Sequence, residues 1–219
     1  MDLRLAIFDL DGVIVDTAKY HYLAWKRLGD EIGIEFTREH NERLKGVSRM
    51  RSLDILLEIG KQERNDQDKE QLASKKNAWY VEFIQRMDSS EILPGVLAFL
   101  EELRAADIKI ALGSASKNAK TILERVALSE YFDVIVDGNL VSRAKPDPEV
   151  FILSASMLNI EAQQTVVFED AQAGIEAASR AMMMTIGVGD PHILAEANYV
   201  IAGFADFTLE DLRQVLAKQ

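Results

Sequence analysis

From Leu93-Pro94-Gly95 onward, short apolar runs alternate with helix-length amphipathic patterns, and few folds accommodate that alternation. Residues 108–112, 134–136, 165–168, 185–188 and 199–202 read as strands. Helical patterns separate them: one ends near Ala105, one carries Ile122 and Leu123, and one starts near Glu149. Strands joined by helices of this length return over the sheet as right-handed crossovers. The expected class is therefore α/β, a mostly parallel sheet with helices on both faces. A further apolar run over residues 3–10, closed by Asp11-Gly12, predicts a buried strand at the start of the chain.

Between that first strand and residue 93 the alternation is absent. Tyr22, Trp25, Leu28 and Ile32 recur at helical spacing, with Asp16 as the expected N-cap and Gly33 as the stop. The stripe of Tyr22, Trp25 and Leu28 reads as internal packing. Residues 37–90 stay polar and helical, and the mixed-charge stretch 61–70 reads as a solvated helix face or loop without function. Residues 17–90 are accordingly expected to form an inserted helical domain, and 1–16 with 91–219 the α/β domain. No repeat at a solenoid period is present.

Charge and composition narrow the partners. With 25 Lys and Arg against 36 Asp and Glu, the chain carries a formal charge of −11, the wrong sign for gripping nucleic acid or an anionic membrane. There is no Cys, so thiolate chemistry and disulfides are excluded. No stretch approaches the roughly 18–20 apolar residues that cross a bilayer, and acids interrupt the N-terminal apolar run. A soluble, cytoplasmic protein is expected, and a monomer, because no apolar stripe is left unexplained.

Four short segments carry the chemistry. Asp9 and Asp11 stand two residues apart at the end of the first strand, so both carboxylates project to the same side. Such a pair calls for a cation or a shared proton, although an Asp-Gly turn alone also accounts for it. Gly113-Ser114-Ala115-Ser116-Lys117-Asn118 follows the second core strand and offers backbone N–H groups and hydroxyls to an anion; simple Ser capping of the next helix is the plainer reading. Lys145 lies in a Pro-stiffened turn, and Glu169-Asp170 ends a later strand. Open α/β sheets bind ligands outside the carboxyl ends of their strands, so these segments can converge on one crevice. Asp9, Asp11, Glu169 and Asp170 would supply hard oxygen ligands for Mg²⁺, and Ser114 and Lys145 would hold phosphate oxygens. The expected reaction class is phosphoryl transfer.

The ordered set Asp9-x-Asp11-Gly-Val, Ser114, Lys145-Pro and Glu169-Asp170 with Gly174 resembles the haloacid dehalogenase superfamily of phosphotransferases over essentially the whole chain. That resemblance implies a Rossmann-like core with the first strand central and a helical cap inserted after it. The cap segments Leu44-Lys45-Gly46-Val47-Ser48-Arg49 and Lys76-Asn77, with Thr17, His21 and Trp25, resemble the branch that interconverts β-glucose 1-phosphate and glucose 6-phosphate. Sugar-phosphate phosphatases share the core residues and form the alternative.

By this resemblance Asp9 is the nucleophile and Asp11 the acid/base. Mg²⁺ is held by Asp9, the Asp11 carbonyl and Asp170, with Glu169 a direct or indirect ligand. Ser114 and Lys145 bind the transferring phosphate. Arg49 from the cap, with Ser116, Lys117 and Asn118 from the core, holds the second phosphate, and Gly46, Val47, Ser48, Lys76 and Ala115 belong to the same substrate site. Thr17 and His21 position Asp11 as the cap closes, with Lys76 as partner, and β-glucose 1,6-bisphosphate serves as intermediate and primer.

Overall fold

The computed structural model describes residues 1–218 and contains a six-stranded, all-parallel sheet. Strand β1 (Leu5–Phe8) is followed by four helices, α1 (Ala18–Glu31), α2 (Arg38–Glu42), α3 (Arg49–Ile59) and α4 (Asp66–Ile84). The alternation then begins with α5 (Val96–Ala105), β2 (Lys109–Gly113), α6 (Ala119–Arg125), β3 (Val134–Val136) and α7 (Glu149–Met157). It continues through β4 (Thr165–Glu169), α8 (Gln172–Arg180), β5 (Met184–Val188) and β6 (Tyr199–Ile201), and ends in α9 (Leu209–Ala217). The order across the sheet is β3-β2-β1-β4-β5-β6, which puts β1 inside, with the connectivity reversing beside it.

Side chains alternate between the two faces of each strand. Ala6, Phe8, Leu112, Val166 and Phe168 face one core with residues of α5, α6 and α9. Leu5, Ile7, Ala111 and Val167 face a second core built with α7 and α8. Phe8 stacks on Phe168 at 4.8 Å between ring centroids, and Phe99 meets both edge-on. These layers fix the register. Phe8 pairs with Leu112 on one side and Phe168 on the other, so Asp9, Gly113 and Glu169 lie at the same level at the carboxyl edge.

The helices α1–α4 join the sheet through two adjacent segments. Asp16 N–H donates to the Glu91 carbonyl, Leu93 N–H donates to the Ile14 carbonyl, and Val15 bridges to Ile92. Glu91 also accepts from Lys19 and Tyr20 of α1. One expectation is corrected here. Asp16 does not cap α1; the N-cap position belongs to Thr17, and even its hydroxyl makes no cap bond because it donates to Asp11 instead. At the other end of α1, Gly33 adopts φ +72°, as a helix stop requires. Residues 61–65 form an exposed loop, and Asn65, accepting from Asp68 N–H, starts α4. Among the described residues no helix is long and apolar enough to cross a membrane.

Candidate active site

The register at the carboxyl edge assembles a buried acidic cluster. One carboxylate oxygen each from Asp9, Glu169 and Asp170 lie within 4.8 Å of one another. Lys145, 3% exposed, reaches into the cluster and donates to Asp9 Oδ1 at 2.6 Å and Glu169 Oε2 at 2.8 Å. The Ala171 N–H donates to Glu169 Oε1. Two glycines make room: a Cβ on Gly12 would overlap the Asp170 carboxylate, and one on Gly174 would overlap Glu169.

Electrostatics follow from this packing. Burial raises the Glu169 pKa to about 7 despite Lys145. Burial, with Glu169 and Asp9 beside it, pushes Asp170 well above the carboxylate range. Lys145 is opposed by burial, but Asp9 and Glu169 outweigh that effect and hold its proton more tightly than usual. Three carboxyl groups share this corner of the site with one ammonium. An all-oxygen donor set fits a hard divalent cation, and the cluster is compatible with a metal ion.

Asp11 takes a different direction. Its N–H donates to Asp9 Oδ2 at 3.0 Å, while its carboxylate turns toward the helices and accepts from the Thr17 hydroxyl. The two carboxylates expected at one spot are thus divided, Asp9 toward the acidic cluster and Asp11 toward α1. Burial, and then the Asp9 charge, raise the Asp11 pKa to about 6, within the range useful for proton transfer.

Behind Asp11, His21 Nε2 lies 3.9 Å from Asp11 Oδ1, and His21 Nδ1 lies 3.0 Å from the Lys76 ammonium. Burial, with Lys76 and Arg49 nearby, holds His21 well below its ordinary pKa. When Lys76 is protonated it only donates, so Nδ1 of this neutral ring then accepts, and the ring proton sits on Nε2, the nitrogen on the Asp11 side.

Loop 114–118 is pre-shaped. Ser114 Oγ accepts from Ser116 N–H, and Ser116 Oγ accepts from Asn118 N–H, so neither Ser caps α6, whose N-cap position is Asn118. From the helical side, Gly46 at φ +71° packs so tightly that an added Cβ would stand 2.7 Å from Ala171 Cβ. Asn77 Oδ1 accepts from Asn118 Nδ2 at 3.0 Å. The helices are therefore closed down on the strand ends.

Beneath them lies a cavity of about 520 Å³. It is lined by Asp9, Asp11, His21, Gly46, Val47, Ser48, Arg49 and Lys76, by Ser114, Ala115, Ser116, Lys117 and Asn118, and by Lys145 and Asp170. Thr17 and Glu169 stand behind that lining, each fully buried. The sequence reading missed Ser52, Tyr80 and Arg143 in the wall, and gave Trp25 a packing role alone. Trp25 is buried as expected, but its ring faces Lys76 in the site. Glu70, from the stretch expected to carry no function, also reaches the lining.

Known proteins resemble this chain over nearly its whole length. A β-phosphoglucomutase of Bacillus subtilis is 41% identical over 214 residues, 97% of this chain and 95% of the relative. A phosphorylated carbohydrates phosphatase of Thermotoga maritima is 31% identical over 98% of this chain and its whole length. The crystal structure of β-phosphoglucomutase from Clostridium difficile superposes with a TM-score of 0.95 at 41% identity, covering 99% of this chain and 98% of that one. The haloacid dehalogenase-like hydrolase family matches residues 6–188, from within β1 to the end of β5. With its acidic cluster at the strand ends and its match from the first strand through the fifth, this chain belongs to the haloacid dehalogenase-like hydrolase family.

Proposed function

We propose that the protein is a β-phosphoglucomutase, a Mg²⁺-dependent phosphomutase that interconverts β-glucose 1-phosphate and glucose 6-phosphate. One observation carries the reading. The cavity that contains Asp9, Asp11 and Lys145 is also lined by Arg49 and Lys76 from the helices and by loop 114–118. A ligand with phosphates at both ends would meet cations or N–H donors at each. The 41% identity to the Bacillus subtilis enzyme over nearly the whole chain supports the same reading. In it, residues 17–90 act as the cap and residues 1–16 with 91–219 as the core.

Asp9 is the nucleophile. Its carboxylate oxygen attacks phosphorus, the bond from phosphorus to the sugar oxygen breaks, and the Asp11 carboxyl proton passes to that oxygen. In the reverse transfer Asp11 takes the proton of the accepting hydroxyl as phosphorus leaves Asp9. The phospho-aspartate donates to the 6-hydroxyl of β-glucose 1-phosphate, giving β-glucose 1,6-bisphosphate. That intermediate rebinds in the opposite orientation and returns its other phosphate to Asp9. Thr17 and His21 hold the Asp11 carboxyl toward the cavity.

Ser114 and Lys145 bind the transferring phosphate. Arg49, with Ser116, Lys117 and Asn118, binds the other, and Gly46, Val47, Ser48 and Ala115 line the substrate site. Asp9, the Asp11 carbonyl, Asp170 and, directly or through another ligand, Glu169 would hold Mg²⁺, which when bound offsets charge between nucleophile and phosphate. Closure of the cap excludes water, so the phospho-aspartate passes its group to a sugar. The substrates are small sugar phosphates handled by a cytoplasmic monomer, and the charge of −11 supports the absence of a nucleic acid partner.

The test is a coupled assay for glucose 6-phosphate from β-glucose 1-phosphate with Mg²⁺, with and without β-glucose 1,6-bisphosphate, recording free phosphate alongside. Isomerisation that depends on the bisphosphate, with little phosphate release, is the expected result. Phosphate release without isomerisation would overturn the reading in favour of a phosphatase.

A further inference from the structure

Lys76 is 2% exposed, yet it lacks the partner that a buried ammonium normally has. Among the described residues Asp11 is the one acidic group acting on it, and the two form no ion pair. Two aromatic faces stand there instead. The ammonium lies 4.7 Å from the centroid of Trp25 on α1 and 4.7 Å from that of Tyr80 on α4. Tyr80 also meets the His21 ring at 4.1 Å between centroids. Lys76 makes no hydrogen bond to the Tyr80 hydroxyl, so the ring face, not the oxygen, is the part of Tyr80 that holds the ammonium.

We infer that Trp25 and Tyr80 form an aromatic cage that positions Lys76 against His21. A ring face attracts a cation through its quadrupole and carries no net charge. A carboxylate would also hold the ammonium, but it would add negative charge to a cavity lined by Asp9, Asp11 and Asp170 that must admit an anion. The cage holds the cation and leaves its charge available to the ligand. Trp25 and Tyr80 are positioning residues. They act through Lys76 and, by its bond to Nδ1, through the tautomer of His21. This inference rests on the site being the sugar-phosphate site described above.

The test has a readout independent of activity. In the native protein the Lys76 ε-methylene protons, assigned by their loss in Lys76→Met, should be shifted upfield by the two rings in the NMR spectrum. Tyr80→Leu should remove roughly half of that shift, and Tyr80→Phe, which keeps the face, should retain most of it. In turnover, Tyr80→Leu should lower kcat about 10-fold, with Tyr80→Phe losing less. In a Lys76→Met background the same Tyr80→Leu change should cost less than about twofold, since the cage acts only through Lys76. An unshifted Lys76 resonance in the native protein would overturn the cage, whether or not the enzyme proves to be a mutase. An equal loss from Tyr80→Leu in both backgrounds would overturn its action through Lys76. Should Tyr80→Leu fail to fold, Trp25→Phe and the native spectrum decide the question.

Discussion

Replacing Lys145 by Met should destabilise the protein in a way that depends on pH. Lys145 stands between Asp9 and Glu169, with all three side chains at most 7% exposed. Met keeps the length of the stem, so little cavity is created and the loss is electrostatic. Removing one partner of a buried pair costs about 3–5 kcal/mol. Glu169 limits that figure, because its pKa already stands at about 7 and rises further without the ammonium, so it takes up a proton in the variant. We therefore expect the lower part of the range, about 3 kcal/mol near pH 8, or a fall in Tm of roughly 6–12 °C for a chain of this size.

The sign follows from linkage. A carboxylate whose folded pKa lies above its unfolded value binds more protons when folded, so stability falls as pH rises through that window. The deficit of Lys145→Met should accordingly be largest near pH 8 and shrink toward about pH 5. Differential scanning calorimetry of both proteins at the two pH values, without divalent cations, measures it. A deficit below about 1 kcal/mol near pH 8, or one equal at both pH values, would refute the argument that Lys145 neutralises this cluster.

Other expectations follow from the same geometry. Asp9→Asn should abolish the acid-stable, alkali-labile phosphoenzyme, whereas Asp11→Asn should spare Mg²⁺ binding and suppress proton transfer; calorimetric Mg²⁺ titrations showing equal losses in both would contradict that division. Gly46→Ala places a methyl at φ +71° against Ala171, which should hinder closure and raise the ratio of phosphate release to isomerisation about 5- to 10-fold. An unchanged ratio would mean that this contact does not seal the site. Lys76 has a folded pKa of about 7 against an ordinary value of 10.5. The unfolded chain thus binds more protons in that window, and the contribution of Lys76 to stability rises with pH across it. Denaturation midpoints of the wild type relative to Lys76→Met should climb from about pH 7 to about pH 10; a flat difference would place Lys76 in water.

The sheet was legible because each strand is short, apolar and punctuated, and because residues that leave parallel strands at one level must meet. That logic brings Asp9, Ser114, Lys145, Glu169 and Asp170 to one crevice from the sequence alone. It failed for Asp16 because a cap is decided by competition: the Thr17 hydroxyl is claimed by Asp11, and Asp16 is held by backbone pairing to Glu91. Trp25 was placed with the packing stripe because helical spacing reports burial, not which face of a buried ring a cation uses. Arg143 carries no local signal, since only the approach of separate loops brings it to the cavity. The segments 44–49 and 76–77 became readable through family resemblance, not through pattern.

The paired backbone of residues 14–16 and 91–93 has an architectural consequence. The stretch from Thr17 to Ser90 departs from and returns to neighbouring hydrogen-bonded positions, so it is attached to the rest of the molecule as a loop drawn shut at its neck. Such a segment can be lengthened, trimmed or exchanged without moving the ends of any strand. New chain termini opened in the exposed loop at residues 61–65 would leave both threads of the neck intact. The sheet edge that holds the carboxylates and the helices that choose what reaches them can thus change separately, joined at the neck and facing each other across the cavity.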